Sequence, residues 1–239
     1  LVGSEMCIRD RYTKGMYLFN KQTGKYHRPF YLIDEETTID QFHGGNASLA
    51  YRVTDEWAYF LGKNAVSHSF RTGKFSFLKI DGKKLATGPM KMVCADEKSA
   101  FIIQSNNLYE VYHGSDTLQT LLSIRGHEAI KAVARDKNNI FWIGTEYGFG
   151  YFDSKTKKFT KIETKLFNSV STLLLDEQER LWIGARNMLF SYDLKKKRFA
   201  SWGESDGYTT NEFIYKYQVS SISDYIYLGG ASGLLRINK

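Results

Sequence analysis

Two pairs of adjacent residues carry side chains suited to contacting a sugar. Glu146 and Tyr147 are followed, forty positions later, by Arg186 and Asn187. A tyrosine ring can stack on the apolar face of a pyranose. Carboxylate, guanidinium and amide groups can hydrogen-bond its hydroxyls or the carboxylate of a uronic acid. We interpret the four as candidate ligand-binding residues, although ordinary polar turns have a similar composition.

A second polar cluster consists of Tyr208, Asn211 and Glu212. These residues lie in an insertion that lengthens the last of the repeats described below. Three roles fit their position equally: ligand binding, ring closure, or contact with a following domain.

The sequence contains no recognisable catalytic or metal-binding set. The histidines are scattered without the spacing that zinc ligands need, at His27, His43, His68, His113 and His127. Two cysteines provide neither a disulfide framework nor a metal site. The sequence therefore predicts no catalytic residue, no metal and no cofactor.

The candidate pairs occupy equivalent places in two copies of one pattern. The first copy carries Trp142 and Gly144, the second carries Trp182 and Gly184, and matched positions lie 40 residues apart. A period of about 40 to 45 residues, built of short strands, is typical of a β-propeller blade. Weaker copies extend the series of glycine positions, which we assign as Gly62, Gln104, Gly144, Gly184 and Gly229.

The second copy predicts four strands per repeat, at 170–175, 181–184, 188–192 and around Phe199. The first is an apolar run suited to a buried inner strand, and the third alternates like a half-exposed strand. The Trp182 indole is expected to pack between blades, and Gly184 permits close backbone approach. A blade cannot bury both faces alone, so the repeats must stack.

We assign residues 12–239 to one all-β domain of propeller blades. It contains five blades and, at 12–30, part of a sixth, so we expect a fragment of a larger ring with open blade faces. Residues 1–11 show no strand alternation, and we interpret them as a non-native segment outside the domain.

The net charge of +7 comes with lysine-rich segments at 155–161 and 195–198. At hairpins such segments more often solvate a turn and protect an edge strand than bind nucleic acid. No apolar stretch is long enough to cross a bilayer. We therefore predict neither direct nucleic-acid binding nor membrane contact by this segment.

The repeats resemble the two-component regulator propeller repeats of hybrid sensor histidine kinases from Bacteroidetes. The resemblance is carried by the spacing of valine, leucine and aspartate before a Leu-Trp-Ile-Gly motif and a later Tyr-Asp pair, at Val170, Leu173, Asp176, Leu181, Trp182, Ile183, Gly184, Tyr192 and Asp193. The segment from Tyr227 to Leu234 is similar to the closing blade of the second propeller in that family.

The resemblance implies a periplasmic sensing and signal-relay module that is not itself an enzyme. Histidine kinase activity would belong to other domains of the full protein. The implied partners are an oligosaccharide or glycan fragment, the adjacent propeller and sandwich domains, and a second copy in a homodimer.

Two other classes of function compete with this interpretation. A polysaccharide-active or streptogramin-lyase-like propeller would need a base and a carboxylate or metal near its axis. A protein-interaction scaffold of the WD-repeat type would need a Gly-His and Trp-Asp pair in each repeat. Neither signature is present in the sequence.

Overall fold

The computed structural model describes residues 5–9, 16–20, 22–27, 49–62, 64–126, 128–185, 188–203, 206, 219–222, 224–230 and 233–238. Every named secondary-structure element in these residues is a β-strand, which confirms the predicted all-β class. The chain divides into two compact units. The first contains Leu1–Gln104 and Leu108–Leu121, and the second contains Ser105–Asn107 and Leu122–Lys239.

The first unit begins with two antiparallel sheets. One has three strands, β1 (Glu5–Arg9), β2 (Met16–Asn20) and β3 (Tyr26–His27). The other is a four-stranded meander of β4 (Leu49–Arg52), β5 (Trp57–Leu61), β6 (Ala65–Ser69) and β7 (Phe75–Phe77). Between β2 and β3, Gly24 has a φ of 68°, a left-handed conformation that glycine adopts without strain.

Strand β1 lies in the segment that we predicted to be outside the repeats. It pairs antiparallel with β2 from Glu5↔Asn20 to Arg9↔Met16. The expectation that residues 1–11 take no part in the sheets is therefore wrong for 5–9. No sequence pattern marks this strand, because an edge strand paired on one side needs little alternation of polar and apolar residues. Its non-native origin stays a prediction.

The third sheet of the first unit has six strands, in the order β10-β11-β12-β13-β8-β9. Their bounds are β8 (Lys79–Ile80), β9 (Lys84–Leu85), β10 (Lys91–Ala95), β11 (Ser99–Gln104), β12 (Asn107–Tyr112) and β13 (Thr117–Ser123). The β8–β9 hairpin adds to the expected four strands. The Asp81 carboxylate fixes it by accepting hydrogen bonds from the Thr120 N–H at 3.0 Å and hydroxyl at 2.9 Å.

The second unit contains two four-stranded meanders and a three-stranded sheet. The first meander is β14 (Ile130–Arg135), β15 (Ile140–Thr145), β16 (Phe149–Asp153) and β17 (Lys158–Ile162). The next is β18 (Thr172–Leu175), β19 (Arg180–Ala185), β20 (Met188–Asp193) and β21 (Arg198–Trp202). The last sheet is β22 (Val219–Ile222), β23 (Tyr225–Gly230) and β24 (Gly233–Asn238). The four strands predicted from the second copy are confirmed within two residues at their starts.

In the second unit, alternate side chains of the second strand of each meander pack against neighbouring sheets. Trp142 packs in a buried cluster that includes Leu181 and Ile183 of the next sheet. Trp182, one residue from each of these, points the other way and packs with Ile226 and Leu228 of β23. The predicted packing of the Trp182 indole between neighbouring repeats is confirmed, and Trp142 packs in the same way.

In the first-unit repeats, the residues equivalent to the tryptophan and glycine of the repeat lie one position before those assigned from the sequence. Ala100 and Ile102 share a buried cluster with Tyr59 and Leu61 of the preceding sheet. Ile102 therefore faces backward along the chain, whereas Trp142 faces forward. A one-residue slip reverses every side chain of a strand, so Phe101 rather than Ile102 is equivalent to the tryptophans.

The glycine positions move with that register. Leu61 and Ile103, rather than Gly62 and Gln104, are equivalent to Gly144, and Tyr59 takes the tryptophan position in β5. The corrected aromatic series is Tyr59, Phe101, Trp142, Trp182 and Tyr227. What the five repeats share is therefore an aromatic residue at the tryptophan position rather than a glycine two residues later.

Candidate functional site

The two meanders of the second unit share one end, and this end carries Glu146 and Tyr147. Antiparallel registers such as Gly144↔Phe149, Phe149↔Ile162 and Thr172↔Gly184 place the same strand termini together. We call this the loop end, formed among the described residues by 124–126, 128–129, 146–148 and 163–171. The opposite turn end is formed by 136–139, 153–157, 176–179 and 193–197.

Large apolar side chains are exposed at the loop end. Tyr147 is 64% exposed, Leu166 is 51% exposed and Met188 is 45% exposed. Tyr147 lies in the β15–β16 loop, Leu166 in the β17–β18 segment, and Met188 begins β20. Exposed aromatic and aliphatic side chains gathered at one end of stacked sheets are typical of a binding surface.

The loop that presents Tyr147 is fixed by the buried residue Thr145. The Thr145 hydroxyl donates to the Glu128 carboxylate and accepts the Tyr147 N–H at 3.3 Å. The Thr145 N–H donates to the Gly148 carbonyl at 2.9 Å, and the Glu146 N–H donates to the Ala129 carbonyl at 3.2 Å. The backbone is thus anchored on both sides, while the Tyr147 ring remains accessible.

Two charged residues that the sequence did not indicate lie beside this loop. A Cβ atom added to Gly148 would lie 3.5 Å from Lys161 Nζ and 3.9 Å from Glu128 Oε1. Lys161 belongs to the outer strand β17, and Glu128 to the segment before β14. They come from opposite edges of the meander, so no local sequence spacing marks them as a pair.

The structure describes two of the seven predicted site residues. Glu146 and Tyr147 are exposed at the loop end, as a ligand-contacting role requires. The other five lie outside the described residues: Arg186, Asn187, Tyr208, Asn211 and Glu212. Their convergence with Tyr147 stays a prediction.

The turn end is organised by hydrogen bonds within the protein. The buried Asp176 carboxylate accepts the Gln178 and Arg180 N–H groups at 2.9 and 2.8 Å, and the Arg180 Nε and Trp182 indole at 3.0 and 2.9 Å. The half-buried Glu179 carboxylate pairs with the ammonium groups of Lys137 and, at 3.1 Å, Lys195. These hydrogen bonds hold the pKa of Glu179 below its usual value.

The lysine-rich hairpins are capped turns. The Asp153 carboxylate accepts the Lys155 N–H at 2.8 Å, and that of Asp193 accepts the Lys195 and Lys196 N–H groups at 2.9 and 2.8 Å. These bonds hold the pKa of each aspartate below its usual value. The carboxylates at this end thus already bind backbone donors, so its geometry favours a structural role.

The described part of the chain contains neither a metal-binding cluster nor a membrane-spanning helix. No group of three or more His, Cys, Asp or Glu side chains is arranged to hold a metal ion. Those residues also contain no helix that is long and apolar enough to span a bilayer.

No family model matches the chain. Among curated proteins, histidine kinase P4 of Formosa agariphila is 28% identical over 90 residues. The match spans 36% of this chain and 7% of that kinase.

Solved structures match almost the whole chain. The extracellular domain of a hybrid two-component system from B. thetaiotaomicron superposes with a TM-score of 0.68 and 17% identity, over 98% of this chain and 32% of that one. PorZ, a surface component of the type-IX secretion system of Porphyromonas gingivalis, superposes with a TM-score of 0.69 and 13% identity, over 98% and 37%.

The chain spans about a third of the length of these structures. At such identities the likeness establishes the fold, and a fold can support several functions. The resemblance indicated by the repeats is confirmed at that level: the chain has the fold of extracellular domains of Bacteroides hybrid two-component systems.

Proposed function

We propose that this chain is part of the periplasmic sensing region of a hybrid two-component system, and that its loop end binds an oligosaccharide. The fold shared with extracellular sensor domains supports the sensing role. The observation that carries ligand binding is the exposed Tyr147 ring on a loop anchored by Thr145. A rigidly held aromatic ring binds an apolar sugar face with little loss of conformational entropy.

In this proposal the chain is a binding and relay module rather than an enzyme. Its sheets are five blades and part of a sixth, and belong to a larger ring. The other partners are the adjacent propeller and sandwich domains of the same protein and a second copy in a homodimer. The structural relatives support the presence of adjacent domains, because in those proteins the same fold lies within much longer chains.

Replacement of Tyr147 tests the proposal. We expect Tyr147→Ala to weaken oligosaccharide binding about tenfold or more, equivalent to about 1.4 kcal/mol, because the stacking surface is removed. Isothermal titration calorimetry of the full chain with neutral and uronate-containing oligosaccharides measures the effect.

Tyr112→Ala is the matched control, since Tyr112 is 48% exposed and belongs to the other compact unit. We expect that variant to bind like the parent chain. Equal losses in both variants, or absence of binding to every oligosaccharide tested, would refute a sugar site at the loop end.

A further inference from the structure

An ammonium group and a carboxylate both lie within 4 Å of the position that a Cβ of Gly148 would occupy, next to the exposed Tyr147. An added Cβ would lie 2.8 Å from Lys161 Cε, too close for an ordinary contact, and near Lys161 Nζ and Glu128 Oε1. The absence of a side chain at Gly148 therefore lets the Lys161 stem lie across the loop and bring its ammonium group toward Glu128.

Both charged groups retain hydrogen-bonding capacity. The half-buried Glu128 accepts the Thr145 hydroxyl through Oε1, which leaves Oε2 available as an acceptor. The Lys161 ammonium has three donors, and its side chain is exposed. Within the part of the chain that the structure describes, it forms no ion pair.

The chemistry of this arrangement matches a sugar diol. One hydroxyl can donate to the Glu128 carboxylate while its neighbour accepts from the Lys161 ammonium, and both bonds are strengthened by the protein charge. The opposite charges compensate each other, so the pair does not select for a charged ligand. The exposed ring of Tyr147, the residue before Gly148, can cover an apolar sugar face.

We infer that Tyr147, Glu128 and Lys161 form one subsite for a neutral pyranose with vicinal hydroxyls. This inference rests on the proposed function and assigns it a ligand class. Gly148 determines specificity indirectly, because a larger residue would displace the Lys161 side chain.

The test uses the full chain with two probe sets, neutral gluco- and manno-oligosaccharides and oligogalacturonates. Glu128→Gln keeps an acceptor for the Thr145 hydroxyl, and Lys161→Met keeps most of the apolar stem. We expect each to weaken binding of the best neutral probe about tenfold or more, since each removes a charge-assisted hydrogen bond. Lys155→Met, at an exposed lysine of the turn end, should bind like the parent.

Thermal unfolding of each variant separates lost binding from lost folding. If Tyr147→Ala weakens binding while Glu128→Gln and Lys161→Met do not, the subsite is refuted and the proposed function stands. Tighter binding of oligogalacturonates, lost in Lys161→Met and improved in Glu128→Gln, would refute a neutral ligand in favour of an anionic one. If no probe binds, both the subsite and the oligosaccharide proposal fail.

Discussion

Gly144→Ala should destabilise the second unit by about 2 kcal/mol. An added Cβ would lie 2.3 Å from Val170 Cγ1 and 2.7 Å from Val170 Cβ, and Val170 is fully buried. Overpacking of this kind costs about 3 kcal/mol, offset by less than about 1 kcal/mol from the reduced backbone entropy of the unfolded chain. Urea unfolding monitored by circular dichroism gives the difference.

Gly203→Ala is the matched control, because no atom of the described residues lies within 4 Å of the added Cβ there. It should leave the unfolding free energy unchanged within about 0.5 kcal/mol. A Val170→Gly replacement removes the atoms that clash. In a double-mutant cycle it should show favourable coupling of at least about 1 kcal/mol with Gly144→Ala. Additive effects would contradict the packing of β15 against the start of the next sheet.

Asp176→Ala is expected to cost about 3 kcal/mol of unfolding free energy. The carboxylate is fully buried and accepts four hydrogen bonds, including that of the buried Trp182 indole. Removing it leaves a buried donor unpaired, which costs about 1 to 3 kcal/mol. It also removes the hydrogen bonds that hold the turn and the Arg180 side chain. Asp176→Asn should also destabilise, since its amide has one oxygen where two acceptors are needed.

The equivalent residue of the preceding repeat provides a control for that variant. The Asp136 carboxylate accepts the Asn138 and Ile140 N–H groups at 2.8 and 3.0 Å. Among the residues that the structure describes, the buried Trp142 indole N–H has no hydrogen-bond partner. Asp136→Ala therefore loses only the turn bonds and should cost about 1 kcal/mol. Equal costs at the two aspartates, measured by the same urea unfolding, would show that the indole bond adds nothing.

The sequence predicted the strands of the second unit well because two repeats there have identical spacing. In the first unit the sequence alignment of the repeats was wrong by one residue, because it was anchored on the positions assigned to the repeat glycine, Gly62 and Gln104. The β11–β12 hairpin leaves only Ser105 and Asn106 between its strands. The shared feature is the aromatic residue at the tryptophan position, which Phe101 supplies without a glycine two residues later.

The candidate site was only partly predictable from sequence. Tyr147 stood out because an exposed aromatic residue in a hairpin loop is unusual. Glu128 and Lys161 could not be predicted in this way. They lie 19 residues before and 14 residues after Tyr147, and they come near the same loop only when β14, β15, β16 and β17 form one sheet. A repeat pattern identifies what every blade needs for packing. It carries no information on side chains that only one blade uses.

The fold alone does not choose between sensing and other roles, because a secretion-system surface component superposes as well as a sensor domain does. Sequencing the genomic DNA on both sides of this reading frame tests the sensing role most directly. The account predicts that the frame continues upstream into further blades behind a signal peptide. Downstream it should reach a sandwich domain, a membrane-spanning helix and a histidine kinase. A start codon near residue 12 with a stop codon after Lys239 would contradict it.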